Sequence, residues 1–162
     1  MLVTLRKVLQ IALPVSVVLL LLQVCSSGYD IDVAPPTGKE TYAEVMPASV
    51  GGQAVEVQPL LLDERRYHGA RGRYGNRASV EIIEVRSLGD LDSYVNEHIK
   101  PRLDGYPDRV SGKFNGVWSL RGRSKTGRFH GWQNHHWLFV IEASDEAAFE
   151  EAISRFRFVR RR

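Results

Sequence analysis

Ser79-Val80-Glu81-Ile82-Ile83-Glu84-Val85 is the stretch from which the fold is read. Val80 and Ile82 fall on one parity of a period-two pattern, Ile83 and Val85 on the other. A β-branched run that is apolar on both faces is covered on both faces, so it predicts a central strand. Glu81 and Glu84 are expected toward its rims. Three residues apart on a strand, they point to opposite faces and cannot flank one bond as a catalytic pair.

Downstream, Ser87 offers a helix N-cap with Asp90 in the first turn, and Leu91, Tyr94, Val95 and Ile99 follow at helical spacing. Lys100-Pro101 predicts its end, because the residue before proline avoids helical angles. Phe114, Gly116, Trp118 and Leu120 alternate with Asn115, Val117, Ser119 and Arg121, which predicts one strand burying Phe114, Trp118 and Leu120. A loop is expected over 122–128, a short strand over 129–132 and a further strand over 136–142. Ser144-Asp145-Glu146 opens a last helix whose stripe is Ala148, Phe149, Ala152, Ile153 and Phe156. Upstream, 53–62 reads as a strand broken or ended at Pro59, and 67–77 holds Gly69, Gly72 and Gly75 among arginines, with a turn at Gly75-Asn76. The expected class is α+β: an antiparallel or mixed sheet of about four to six strands with two helices. A split βαβ, ferredoxin-like sandwich is one topology that satisfies it.

Residues 1–24 have a different character. Arg6 and Lys7 precede a run from Val8 to Val24 whose only polar side chains are Gln10, Ser16 and Gln23. That is the layout of a secretory signal peptide or membrane anchor. Leu22-Gln23-Val24-Cys25, followed by Ser26-Ser27-Gly28, resembles the lipobox of bacterial lipoproteins, with Leu22 at the family's −3 position and Val24 where the family prefers a smaller residue. The resemblance covers residues 1–28. It implies that Cys25 becomes the N-terminus and carries lipid; an uncleaved anchor and plain secretion are the other readings. All three place the remainder outside the cytoplasm. Residues 25–46, with Pro35, Pro36 and several acids, read as a flexible tether. Residues 47–162 then form a single domain.

Charge is divided along the chain. Residues 25–64 hold one base, Lys39, and seven acids; residues 65–162 hold 19 bases and 12 acids. The arginine-glycine run at 65–77 and the loop at 121–128 have the composition of polyanion-binding segments. Outside the cytoplasm the partner would be a membrane, an anionic envelope polymer or a protein, and no nucleic acid is expected. The single cysteine excludes an internal disulfide and any zinc site of two or more thiolates.

The remaining candidates lie in one region. Trp132, beside Gly131, is the candidate exposed ring for stacking a ligand, with His130, His135, Arg121 and Arg123 around it. His130, His135 and His136 fit no metal-ligand spacing, and the last two point to opposite faces of a strand. No cofactor and no metal are expected. The chain carries no Gly-x-Ser-x-Gly, phosphate-binding loop or dinucleotide fingerprint. The expected function is a non-catalytic, membrane-anchored extracytoplasmic binding or envelope-assembly module. The alternative is a small extracytoplasmic enzyme or metal-binding protein using the three histidines.

Overall fold

A computed structural model describes residues 28–60 and 66–161. The signal-like segment 1–24 and Cys25 lie outside the described residues. The chain divides into two units, residues 1–30 with 161–162 and residues 31–160. Of the first, the described part includes the short strand β1 (Tyr29–Asp30).

The second unit opens with α1 (Tyr42–Val45) and a small hairpin of β2 (Ser49–Val50) and β3 (Gln53–Ala54). Then come β4 (Glu56–Pro59), β5 (Tyr67–Tyr74) and β6 (Ala78–Val85). A helical crossover follows: α2 (Leu88–Tyr94), a π-helical turn (Val95–Ile99) and α3 (Lys100–Leu103). Four strands return, β7 (Asp108–Phe114), β8 (Val117–Arg123), β9 (Arg128–Asn134) and β10 (Trp137–Ala143). Helix α4 (Glu146–Arg155) and β11 (Arg160–Arg161) end the chain.

The main sheet has seven strands in the order β4-β5-β6-β10-β9-β8-β7. Every pairing in it is antiparallel. The crossover carries the chain from β6 to the far edge, and the meander from β7 brings β10 back beside β6. This overturns the expected class. The protein is mostly β, with a seven-stranded antiparallel sheet, small two-stranded sheets and short helices, and not a ferredoxin-like α+β sandwich of four to six strands.

Two local readings account for the miscount, and a third cuts one strand short. Asn115 and Gly116 both have positive φ, 51° and 80°, so they form a tight turn and divide the stretch read as one strand. Phe114 therefore ends β7, paired with Val117, and is 76% exposed instead of sharing a buried face with Trp118 and Leu120. The glycine-arginine stretch, to which the sequence reading assigns no strand, is β5 up to Tyr74. Its glycines sit where neighbours come close: a Cβ on Gly72 would press on Met46 Sδ and Val55 Cγ2. The strand read as 129–132 runs the full length of β9, from Arg128 to Asn134.

Both faces of β6 and β10 are covered, as the apolar run predicts. On one face, Leu91, Val95, Ile99 and Leu103 of the crossover pack on Ile83, Val85, Leu120, Leu138 and Val140. On the other, Phe156 beyond α4 packs edge-on to Phe139 and Trp132. Ser87 caps α2, its Oγ accepting from the Asp90 N–H at 3.1 Å. The helical path does not stop at Lys100-Pro101. The widened π-helical turn precedes Pro101, which stands at the start of α3, where its missing N–H costs least.

A flexible tether, expected over 25–46, does not describe residues 31–46. Residues 31–46 belong to the main unit, and Pro36, Val45 and Met46 are buried. Asn134 Nδ2 donates to the carbonyls of Ile31 at 3.3 Å and Val33 at 2.5 Å, fixing the lead-in to the end of β9.

Candidate anion-binding pocket

Glu81 lies in the middle of β6 with no solvent exposure. A buried carboxylate costs several kcal/mol unless it is paired and hydrogen-bonded, so its neighbours are constrained by it. Register puts Arg71 of β5 directly opposite, and its Nε donates to Glu81 Oε1 at 2.7 Å. The second oxygen accepts from Arg102 Nη1 at 2.9 Å. Arg102 is available because the helical path continues past Pro101. Its Nη2 donates to Glu142 Oε2 of β10 at 2.7 Å, and Tyr106 donates its hydroxyl to Glu142 Oε1 at 2.9 Å. Burial works to lower the Arg102 pKa, but Glu81 and Glu142 outweigh it and raise the value above that of a free guanidinium. Burial, reinforced by the bond to Glu142, raises Tyr106 and keeps it a phenol.

These groups stand behind a cavity of about 800 Å³ at the end of the sheet where the β5–β6 and β8–β9 turns lie. Arg71, Arg73, Arg77 and Arg102 line it, with Ser79, Ser124, Thr126 and Ser144 at its polar wall. Arg77 Nη2 donates to Asp145 Oδ2 at 3.1 Å, while Asp145 also caps α4 through Ala148 N–H at 2.8 Å. Arg73 alternates onto the same face as Arg71 and is exposed. It has no ion pair among the described residues. The site therefore holds three guanidinium groups fixed by carboxylates, a fourth that is uncommitted, and carboxylates whose oxygens already accept hydrogen bonds. That arrangement suits holding an anion better than moving a proton.

The residues expected to form a ligand site are distributed otherwise. Trp132 is fully buried, stacked on His130 with ring centroids 5.1 Å apart, so its ring is not an exposed stacking platform. His130 is buried too, and burial followed by the charge of Arg121 lowers its pKa to about 3. Arg121 stands across from His130, and Arg123 across from Arg128, both on the sheet face opposite the arginine pocket. His135 and His136 form the exposed two-residue turn between β9 and β10, His135 with φ 53°. The strand separates them from His130 by on the order of 13 Å. The three histidines are thus not brought together, and among the described residues no group of three or more His, Cys, Asp or Glu could hold a metal ion. Among the same residues no helix is long and apolar enough to cross a membrane.

The arginine-glycine composition pointed toward Arg71, Arg73 and Arg77. Arg102, Tyr106, Glu81 and Glu142 carried no such signal, since they come from three distant segments. Neither a family model nor a curated protein matches the chain. Among solved structures, it is similar to a GTP binding regulator from Thermotoga maritima, with 11% identity and a TM-score of 0.50 over 76% of this chain and 90% of that one. At that identity the likeness concerns the fold alone.

Proposed function

We propose that the protein is a membrane-anchored, extracytoplasmic binding module, held by its N-terminal segment or by lipid at Cys25, and that the arginine pocket takes an anionic ligand. The signal-like charge and hydropathy of residues 1–24 support the anchoring. One observation carries the ligand class: Arg73 opens, uncommitted, into a cavity whose other guanidinium groups are held by buried or capping carboxylates. Donors already fixed by Glu81 lose little freedom when an anion arrives. An anionic envelope polymer or an acidic protein segment would present suitable oxygens.

The test uses inorganic pyrophosphate as probe and the thermal unfolding of the detergent-solubilised chain as readout. A bound anion at about 100 times its Kd stabilises by about 2.7 kcal/mol. Arg73→Ala, at an exposed position, should leave the unliganded Tm within about 0.5 kcal/mol of the parent's stability and abolish the pyrophosphate shift. No shift in the parent, or the same shift in the variant, refutes the pocket.

A further inference from the structure

The described residues expose four large apolar side chains: Leu88, Val110, Phe114 and Val117. Three of them belong to the β7–β8 hairpin. Phe114 and Val117 are cross-strand partners beside the Asn115-Gly116 turn, and Val110 shares their face of β7. All seven residues of β7 are exposed. A free apolar patch at a hairpin tip marks an interaction surface.

The path of the chain says what that surface meets. Continuing the β8–β9 register beyond Ser119 and Trp132 sets Val117 opposite Asn134. Asn134 is the residue whose side chain holds the carbonyls of Ile31 and Val33. The lead-in therefore joins the sheet one strand, about 5 Å, from Val117 and two strands, about 10 Å, from Phe114. Five residues separate Cys25 from Ile31, and an extended chain of those six steps reaches about 20 Å at most. A domain anchored through Cys25 or the segment before it must keep this end of its sheet within that distance of the bilayer. The arginine pocket opens at the other end, past the β5–β6 and β8–β9 turns.

We propose that the tip Phe114-Asn115-Gly116-Val117 inserts into the lipid interface as a second membrane contact, leaving the arginine pocket facing away from the bilayer. This rests on the anchoring reading above. Phe114 and Val117 would enter the upper acyl chains on either side of the turn, with Lys113 behind them at headgroup level. Besides immobilising the domain, a second contact fixes which way its pocket points.

The experiment reconstitutes the full chain in phosphatidylcholine–phosphatidylglycerol vesicles and attaches a nitroxide at Phe114→Cys or, at the pocket end, at Lys125→Cys. The parent, with Cys25 alone, gives the background labelling. Vesicle flotation is scored first. Collisions with oxygen and with a water-soluble nickel chelate are then compared. The expected result is co-flotation, with loss of chelate accessibility at position 114 on adding vesicles and full chelate accessibility at 125. Co-flotation with position 114 as accessible as 125 overturns the insertion and leaves the anchoring intact. Failure to float overturns the anchoring, and the insertion with it. Loss of accessibility accompanied by dipolar broadening between labels at 114 assigns the patch to a second copy of the chain and overturns the lipid contact.

Discussion

Trp132 shows how far a single side chain can depart from its local sequence. Gly131 before it and Gln133-Asn134 after it suggest a turn, yet the ring is fully buried and packed against His130, Phe139 and Phe156. Trp132→Ala should therefore destabilise by about 3–5 kcal/mol, the range for emptying a large aromatic site. Urea unfolding of the variant checks this, and a loss below about 1 kcal/mol would return the ring to the surface. His130, stacked on it, carries a pH dependence. Its folded pKa of about 3 lies below the ordinary value of 6.5, so the folded protein holds the ring neutral while the unfolded chain takes up a proton as pH falls through 6.5. Stability linked to this group is complete above pH 6.5 and is lost progressively down to about pH 3, at about 1.4 kcal/mol per pH unit. Between pH 7 and pH 5, where most carboxylates stay ionised, the parent should lose about 2 kcal/mol more than His130→Phe. Equal losses in the two proteins would show that the imidazole is not the titrating group.

At the scale of elements, the lead-in before β2 behaves as part of the domain. Val45 and Met46 are 4% and 5% exposed, Tyr74 donates its hydroxyl to the Pro47 carbonyl at 2.8 Å, and Met46 Sδ fills the space over Gly72. Burying each of two such apolar side chains contributes about 1.5–3 kcal/mol. A chain beginning at residue 47 should thus be less stable than one beginning at residue 28 by at least about 3 kcal/mol, as read by chemical denaturation. A difference under about 1 kcal/mol would restore the unpacked tether. The crossover teaches a related lesson. Pro101 is a stop signal in isolation, but a π-helical turn before it and the ion pairs of Arg102 to Glu81 and Glu142 after it carry the helical path on. The local preference against a pre-proline helix is of the size of one or two such contacts, so packing decides the outcome.

For the molecule as a whole, the sequence by itself determined the central strands and the two helical stripes. Val80 to Val85 and Trp137 to Ile141 are apolar on both parities, and only a sheet covered on both faces buries them. Ser87 marked its helix start because capping is a contact between residues three apart, and Ser144-Asp145-Glu146 marked the last helix to within a residue, Asp145 being the cap. The proposed anchoring of residues 1–24 draws on a signal of the same local kind, charge followed by an apolar run. Tertiary structure alone decided the seven-stranded order and the pocket. β5 carries glycines and arginines instead of an apolar alternation, since Gly69 and Gly72 lie under close neighbours and Arg71 is balanced by Glu81 across the strand. Strand identity there is set by what the partner strands supply, which no local pattern encodes. The pocket draws Arg71 and Arg73 from β5, Arg102 from α3 and Glu142 from β10, residues as far apart as 71 and 142 in sequence. Their convergence follows from the crossover that returns β10 to the side of β6. A long-range pairing of this kind is fixed by the energy of the closed sheet and not by any window of the chain.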